Sequence, residues 1–358
     1  MQPKYGTSPY PPIHAILISR QKNGCDLRHI YADTFHHLRT TQVPTLQNNQ
    51  PSRFLWYSSG LPYPQHGLTE MPDSIDLTQL ARTCTGNSQR SLGCIPFRSE
   101  TCSSHHYLYE CYPYWCAQIK EAPRYHRKQW EFVYIAQALW ERGMLKPGMK
   151  GLGFGVGQEP LVALFASHGC TITATDMDSS QAQQVGWTQT NQHAGNLARL
   201  NAREICDPKD FEELVAFETV DMNHIPPHLH GYDFCWSACC FEHLGSIPQG
   251  LGFVKNSLKT LKPGGLAIHT TEFNLSSNTR TIKQGGTVLY REHDLQNLLQ
   301  ELQESSHHME PLLIHKGSQP LDDHVDTPPY SDDQHLRLLI GQYDVTSAGL
   351  IIRKGTTA

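Results

Sequence analysis

The pattern of hydrophobic and polar positions divides the chain into two unlike parts. Up to about residue 95, apolar residues are sparse, keep no sustained period and are interrupted by frequent prolines. A segment of this kind buries too little apolar surface to offset the entropy of ordering it. We therefore predict that residues 1–95 form a loosely packed or partly disordered extension.

A regular pattern begins near Phe97. The stretch "HRKQWEFVYIAQALWERGMLKPG" carries apolar residues at helical spacing, and Gly143 and the following "KPG" end it. Upstream of it lies the aromatic-rich segment "SSHHYLYECYPYWCAQI", which would serve either as a lid over a site or as an extra layer of the core. We predict that residues 96–146 form a helical and aromatic cap segment.

Strand and helix patterns alternate in the remainder of the chain, residues 147–358. The predicted strands are "GLGFGV", "TITATD", "FETVDM", "YDFCWSACC" and "LAIHTTEF". The predicted helices are "EPLVALFASHG", "SSQAQQVGWTQTNQHA", "IPQGLGFVKNSLKTL" and "REHDLQNLLQELQES". "HLRLLIGQY" and "TSAGLIIRK" close the chain as a hairpin. This order predicts an α/β fold with a mostly parallel sheet.

Composition and charge exclude several classes of protein. The 358 residues carry a net charge of −5, which argues against a nucleic-acid partner. No apolar run approaches the ~18–20 residues of a membrane helix, so we expect no membrane insertion. None of the 11 cysteines falls in a CxxC pair, which is typical of reduced, partly buried thiols in a cytoplasmic protein.

The sequence gives little reason to expect a metal. Cys102, Cys111 and Cys116 with His105 and His106 could hold zinc, but their spacing matches no zinc module. The His-His pairs, of which 105/106 is one, are expected to be polar surface residues. We therefore predict no metal site.

The most informative stretch is "KGLGFGVGQEP", residues 150–160. A glycine-rich turn between a strand and a helix lets a ligand lie against bare backbone. The spacing fits neither G-x-G-x-x-G nor a phosphate loop, and Glu159 would repel phosphate. Asp176 and Asp221 end the next two strands, where they could contact a ribose and an adenine amino group. Acidic residues around such a turn favour an adenosyl ligand with a cationic tail.

"GLGFGVGQEP", "TATD", "VDMN", "DFCWSACCFEHLGS" and "LKPGGLAIHTTEF" together resemble class I S-adenosylmethionine-dependent methyltransferases over about residues 147–353. "HRKQWEF" is similar to a bacterial branch that methylates small molecules and glycans. The resemblance implies a Rossmann-like, mostly parallel seven-stranded sheet with an antiparallel closing hairpin. The family often has an acidic residue on the first strand, and here Lys150 and Leu152 stand there.

The resemblance also implies a set of cofactor contacts. Gly153, Gly155 and Gly157 would line the methionine moiety, and Glu159 would compensate for the missing acidic residue. Asp176 would bind the ribose, Met177 would pack on the adenine, and Asp221 would mark its amino group. Alternatives stay open for each of them: a tight turn for the glycines, a helix N-cap for Asp176 and a surface turn for Asp221.

Methyl transfer to a hydroxyl needs a general base at the carboxyl ends of the strands. His243 is the first candidate and Glu242 could orient it, although His243 could also cap a loop. Glu272 is the next candidate base or a hydroxyl acceptor. His269 is better explained as a packed strand residue, and the basic run 124–128 could bind an anionic substrate or form an exposed helix start.

These features favour an S-adenosylmethionine-dependent methyltransferase that methylates a hydroxyl of a sugar or another small molecule, such as a glycan precursor. Two other hypotheses stay open. One is a nucleotide-dependent oxidoreductase or epimerase on a related sheet. The other is a methyltransferase-like partner module without enzymatic activity. The sequence does not indicate an oligomeric state.

Overall fold

The structure is a computed structural model that describes residues 95–178, 197–330 and 334–356. The predicted extension, apart from residue 95, and the predicted helix at residues 179–194 lie outside the described residues. No helix in the described ranges combines the length and the apolar character that crossing a bilayer requires.

The described ranges contain helices and strands that mostly follow the sequence pattern. The helices are α1 (Cys111–Gln118), α2 (Arg127–Glu141), α3 (Leu161–Ser167), α4 (Pro208–Leu214), α5 (Ile247–Ser257), α6 (Glu292–Glu304) and α7 (Pro320–Asp323). Short 3-10 helices span Ser104–Leu108, Leu197–Asn201, Phe241–His243 and Leu258–Thr260. The strands are β1 (Glu100–Thr101), β2 (Lys150–Phe154), β3 (Thr171–Asp176), β4 (Val215–Thr219), β5 (Tyr232–Ala238), β6 (Gly245–Ser246), β7 (Leu261–Asn274), β8 (Gln284–Gly285), β9 (His308–Met309), β10 (Val325–Asp326), β11 (Arg337–Ile340) and β12 (Tyr343–Arg353).

One sheet organises the molecule. Its strands follow the order β10-β11-β12-β7-β5-β2-β3-β4. Strands β4, β3, β2, β5 and β7 are mutually parallel, whereas β12 runs antiparallel to both β7 and β11. The predicted mostly parallel sheet with an antiparallel closing hairpin is therefore confirmed. The two-residue strands β1, β9 and β10 add to its seven longer strands.

Strand β5 shows how the sheet separates two hydrophobic cores. Phe234 and Trp236 pack on the face that α1, α2 and α3 cover, whereas Cys235 packs on the face of α5 and α6. Successive side chains of a strand point to opposite faces, so an unbroken apolar run serves both cores. A strand of this kind is buried on both faces, and its pairing with β2 and β7 aligns the ends of these two strands.

The aromatic-rich segment belongs to the first of these cores. Tyr112 and Trp115 are fully buried in α1, and Trp115 Nε1 donates to Gln137 Oε1 of α2 at 2.6 Å. Of the two alternatives for this segment, the structure therefore supports the core layer rather than the lid.

Among residues 95–178, 197–330 and 334–356, the cysteines depart from the sequence expectation at one position. Those described as free thiols are Cys102, Cys116, Cys170, Cys206, Cys235, Cys239 and Cys240. Cys111 is disulfide-bonded instead. The expectation of reduced thiols is therefore wrong for Cys111.

Candidate cofactor and acceptor site

The glycine turn follows β2 at the carboxyl edge of the sheet. Gly155 and Gly157 adopt φ values of +58° and +50°, a region that glycine enters without the steric cost of a side chain. Gly153 has another reason to be glycine, because a Cβ there would lie 2.5 Å from Trp236 Cζ2. The three predicted glycines therefore serve two purposes, a sharp turn and the close packing of Trp236.

Asp176 holds this turn from the neighbouring strand. Its Oδ2 accepts a hydrogen bond from the Gly157 amide at 3.1 Å, and its Oδ1 accepts one from the Met177 amide at 2.8 Å. Only 4% of Asp176 is exposed. The parallel pairing of β2 with β3 places the two strand ends side by side. Asp176, Met177 and the glycine turn thus form one continuous edge.

Glu159 lies buried at the same place. Its Oε1 accepts a hydrogen bond of 2.6 Å from Trp236 Nε1. Burial raises the pKa of Glu159 well above its ordinary value, and the nearby carboxylates of Asp176 and Glu131 raise it further, against the effect of the Trp236 hydrogen bond. None of the described groups that act on this pKa is a cation. A cationic ligand bound beside the turn would therefore favour the ionised form of Glu159.

Asp221 occupies a different environment. It is exposed, because β4 ends at Thr219 and not at residue 222 as the pattern predicted. Its Oδ1 accepts from the Asn223 amide at 2.8 Å, and its Oδ2 lies 2.7 Å from His224 Nδ1. Met222 instead approaches the turn, with its Sδ 3.3 Å from the place of a Cβ on Gly155. The sequence analysis missed Met222. Its signal was an apolar residue shortly after the end of β4 at Thr219.

A second group of residues follows β5. Cys239 has a φ of +52°, and its amide donates to the Thr270 carbonyl of β7 at 3.0 Å. This reversal leads into the 3-10 helix that carries Glu242 and His243. Glu242 is fully buried, and its Oε2 accepts from Thr271 Oγ1 at 3.1 Å. Its Oε1 finds no hydrogen-bond partner in the part of the chain that is described.

Glu272 is the centre of a buried ionic cluster. Its Oε1 lies 2.7 Å from Arg127 Nη2 and 3.8 Å from Lys128 Nζ, both at the start of α2. Cys239 Sγ donates to the same oxygen at 3.3 Å. Arg127 is 2% exposed, so the expected exposed helix start is wrong for this residue.

Glu131, which the sequence analysis missed, completes the cluster. Its Oε1 lies 3.6 Å from Arg127 Nη1 and 3.4 Å from Lys128 Nζ. Thr270 Oγ1 donates to its Oε2 at 3.1 Å. The alternation of β7 explains the arrangement, because Thr270 and Glu272 face α2 whereas Thr271 faces Glu242.

The pKa values of Glu272 and Glu242, the two carboxyl groups that the sequence analysis selected, are shifted in opposite directions. Burial alone would raise the pKa of Glu272, but Arg127 and Lys128 outweigh it and the pKa is lowered. Burial raises the pKa of Glu242, and the charge of Glu272 adds to that shift. Glu272 is therefore the anionic partner of the cations, and Glu242 is the carboxyl group with the greater tendency to hold a proton.

His243 lies beside this cluster and is less buried. Its Nδ1 is 2.7 Å from the Gly286 carbonyl, which can only accept, so the proton is on Nδ1 and the basic lone pair on Nε2. Nε2 lies 3.9 Å from Glu242 Oε1, and 19% of the side chain is exposed. An imidazole held in this way can accept a proton from an acceptor hydroxyl.

His269 has no such access. It is fully buried between Ser237 Oγ, 2.8 Å from Nδ1, and Ser257 Oγ, 3.1 Å from Nε2. Burial lowers its pKa to about 3. His269 is thus the packed, neutral strand residue that the sequence analysis favoured.

Comparison with solved structures finds several that resemble the chain at low sequence identity. No protein-family model matches the chain, and no curated protein matches it. Phosphoethanolamine N-methyltransferase 2 of Haemonchus contortus, solved with S-adenosyl-L-methionine, is 14% identical over 61% of this chain and 51% of its own, with a TM-score of 0.36. The 1,6-didemethyltoxoflavin-N1-methyltransferase of Burkholderia thailandensis, solved with S-adenosylhomocysteine, is 16% identical over 61% and 74%, with a TM-score of 0.37. The cyclase SpnF is 17% identical over 63% and 84%, with a TM-score of 0.38. Sequence identities and TM-scores this low do not assign a function, which therefore rests on the residues of this chain.

Proposed function

We propose that this protein is an S-adenosylmethionine-dependent methyltransferase that acts on a hydroxyl of a small molecule. The observation that carries the proposal is the edge formed by the glycine turn, Asp176 and Glu159. There, two buried carboxylates lie beside the bare backbone of Gly155 and Gly157. A ligand with a ribose and a positively charged amino-acid tail meets both features.

Each residue of this edge has a role in binding. Asp176 keeps the Gly157 amide in place and would accept the ribose hydroxyls, while Met177 and Met222 would pack on the adenine. Glu159 would pair with the ammonium group of the methionine tail. Because Glu159 is buried, its ionised form would need such a cation as a partner. When bound, S-adenosylmethionine supplies a methyl group on a positively charged sulfur, which is already a good leaving group.

The second group of residues would prepare the acceptor. His243 Nε2 would remove the proton of the acceptor hydroxyl, and its Nδ1 would stay bound to the Gly286 carbonyl. Glu242, whose Oε1 lies 3.9 Å from Nε2, would help to orient the imidazole. Glu272, held by Arg127 and Lys128, would fix the position of β7 relative to α2.

The acceptor class follows from chemistry and resemblance together. A general base is needed for a hydroxyl, whereas a neutral amine already has a lone pair, so the His243–Glu242 pair favours O-methylation. The resemblance to glycan methyltransferases makes sugars and nucleotide sugars the first acceptors to screen. The alternative of a partner module would leave a base next to a buried carboxyl group without a purpose.

Binding of the cofactor is tested by titration calorimetry of the full chain with S-adenosylmethionine and S-adenosylhomocysteine, and with NAD⁺ as a control. We expect both adenosyl compounds to bind and NAD⁺ not to bind. Asp176→Asn should weaken binding, and the exposed carboxylate variant Glu212→Gln should not. Binding of NAD⁺ instead would favour the oxidoreductase alternative, and binding of neither would favour the partner module.

The role of the base is tested separately, on the acceptor that a screen with labelled S-adenosylmethionine identifies. His243→Gln should lower kcat by about 10²- to 10⁴-fold, the usual contribution of a general base, and leave cofactor affinity unchanged. His293→Gln, which changes an exposed histidine of α6, is the matched control. An unchanged kcat in His243→Gln would remove His243 from the reaction.

A further inference from the structure

A separate group of ligating side chains lies near the start of the described chain. Glu100 of β1, His105 and His106 of the first 3-10 helix, and His315 in the loop after β9 converge there. One ligating atom from each of these four residues lies within 4.8 Å of all the others. We call these four residues the histidine cluster. The sequence analysis placed His105 and His106 on the surface, which is wrong for His106 because it is fully buried.

The contacts of the histidine cluster are close and centre on one carboxylate oxygen. Glu100 Oε2 lies 2.8 Å from His315 Nε2 and 3.2 Å from His106 Nε2. The ring centroid of His105 lies 4.0 Å from that of His106 and 4.5 Å from that of His315. The other oxygen, Glu100 Oε1, accepts from the Arg98 amide at 3.0 Å, which turns Oε2 towards the histidines.

His106 supplies the observation that points to a ligand. Its Nε2 is fully buried, lies 3.2 Å from Glu100 Oε2 and makes no hydrogen bond of good geometry among the described residues. Its Nδ1 lies 3.1 Å from the Ser103 carbonyl and 3.2 Å from the Ser103 amide. Nδ1 can accept from the amide or donate to the carbonyl. A metal ion at Nε2 would select the second arrangement, in which Nε2 carries the lone pair. Histidines that bind metals are commonly oriented by this kind of backbone hydrogen bond.

We propose that Glu100, His105, His106 and His315 bind a divalent transition-metal ion, for which Zn²⁺ is the best fit. Imidazole and carboxylate are ligands that zinc accepts, and four protein ligands complete its tetrahedral shell. Bond lengths of about 2.1 Å require ligand separations of about 3.4 Å. The 2.8 Å and 3.2 Å contacts of Glu100 Oε2 must therefore lengthen slightly around the ion, and the longer separations in the cluster must shorten. His105 and His315 are partly exposed, which gives them room to move and gives the ion a path of entry.

The ion would have a structural role, because a complete shell of protein ligands leaves no position for a substrate. It would join β1 and the adjoining first 3-10 helix to the loop after β9, in which His315 lies 215 residues beyond Glu100. The ring of His106 also lies 5.4 Å from that of Trp130 in α2, the helix that carries Arg127 and Glu131. Metal binding would therefore stabilise the segment that seats the buried ionic cluster.

The experiment uses the full chain with its purification tag removed and its metal stripped by a chelator. Zn²⁺ is titrated in competition with a chromophoric chelator, and thermal unfolding is followed with and without Zn²⁺. The variants are His315→Ala and Glu100→Gln, the second of which preserves the shape of the side chain. His230→Ala removes an exposed histidine as the matched control. Cys239→Ser tests the other group of ligating residues that the structure brings together, Cys239 with Glu242 and Glu272.

We expect the unaltered chain to bind one Zn²⁺ and to gain thermal stability from it. Both cluster variants should bind at least about 100-fold more weakly, since loss of an outer-shell partner alone costs 10- to 100-fold. Both controls should bind as the unaltered chain does. Equal affinity in the unaltered chain, His315→Ala and Glu100→Gln would overturn the proposal. So would the absence of Zn²⁺ binding, or its loss in Cys239→Ser. Cofactor binding does not enter any of these readouts.

Discussion

Replacement of Glu159 by glutamine separates a role in ligand binding from a role in folding. In the unaltered chain, Trp236 Nε1 donates to Glu159 over 2.6 Å. The glutamine keeps an oxygen that can accept this hydrogen bond and removes only the ability of the side chain to carry a negative charge. If Glu159 pairs with the ammonium group of S-adenosylmethionine, affinity must fall. A hydrogen bond to a charged partner contributes about 1.5–3 kcal/mol, which corresponds to about 10- to 150-fold in Kd.

The stability of the same variant should change in the opposite direction. The pKa of Glu159 is raised in the folded chain above its usual value of 4.5, so the native state binds more protons than the unfolded state. The stability contributed by this group is then complete below about pH 4.5 and is lost as the pH rises towards the raised pKa. Glutamine does not titrate, so Glu159→Gln should be more stable than the unaltered chain at pH 8, and progressively less so towards pH 4.5.

Calorimetric titration with S-adenosylmethionine and urea unfolding at several pH values measure the two effects. Glu212→Gln, at an exposed position of α4, is the control and should change neither quantity. Unchanged affinity in Glu159→Gln would refute the pairing with the cofactor. A loss of stability at pH 8 would show that the charged carboxylate is needed by the fold itself.

Two further predictions concern groups buried in the fold. Arg127→Met should destabilise the protein by about 3–5 kcal/mol, because it leaves buried carboxylates short of a cation. Arg203→Met, which breaks a partly exposed pair with Glu121, should cost about 1 kcal/mol or less. Urea unfolding compares the two, and equal losses would contradict the burial argument. His269, whose pKa falls from 6.5 to about 3, should make stability decline as the pH drops below about 6.5, by up to about 1.4 kcal/mol per unit. His269→Gln should remove that part of the pH dependence, and an unchanged acid profile would contradict the prediction.

The arrangement of the sheet could be predicted because the information is local. The five parallel strands and helices α3, α5 and α6 are each marked by their own apolar residues, and parallel connection follows from their alternation. The limits of the strands were less predictable, since pairing and not composition decides them. Strand β7 begins at Leu261 because it pairs with Tyr232 of β5, five residues before the apolar run suggested.

The candidate site was predictable only where neighbours in sequence create it. Gly155 and Gly157 were visible because the turn needs glycine at those positions. The contact of Arg127 with Glu272 was not, since polar residues at the start of a helix are usually exposed. The histidine cluster escaped for a related reason, because nothing in the sequence near His106 indicates that Glu100 and His315 will meet it.

The central claim is that the glycine turn and its two carboxylates bind the adenosyl cofactor. A crystal structure of the full chain with S-adenosylhomocysteine tests this claim most directly. The account predicts electron density along Gly155–Gly157, with the ribose at Asp176 and the amino group within hydrogen-bond distance of Glu159. Density for the ligand elsewhere, or with its amino group away from Glu159, would contradict it.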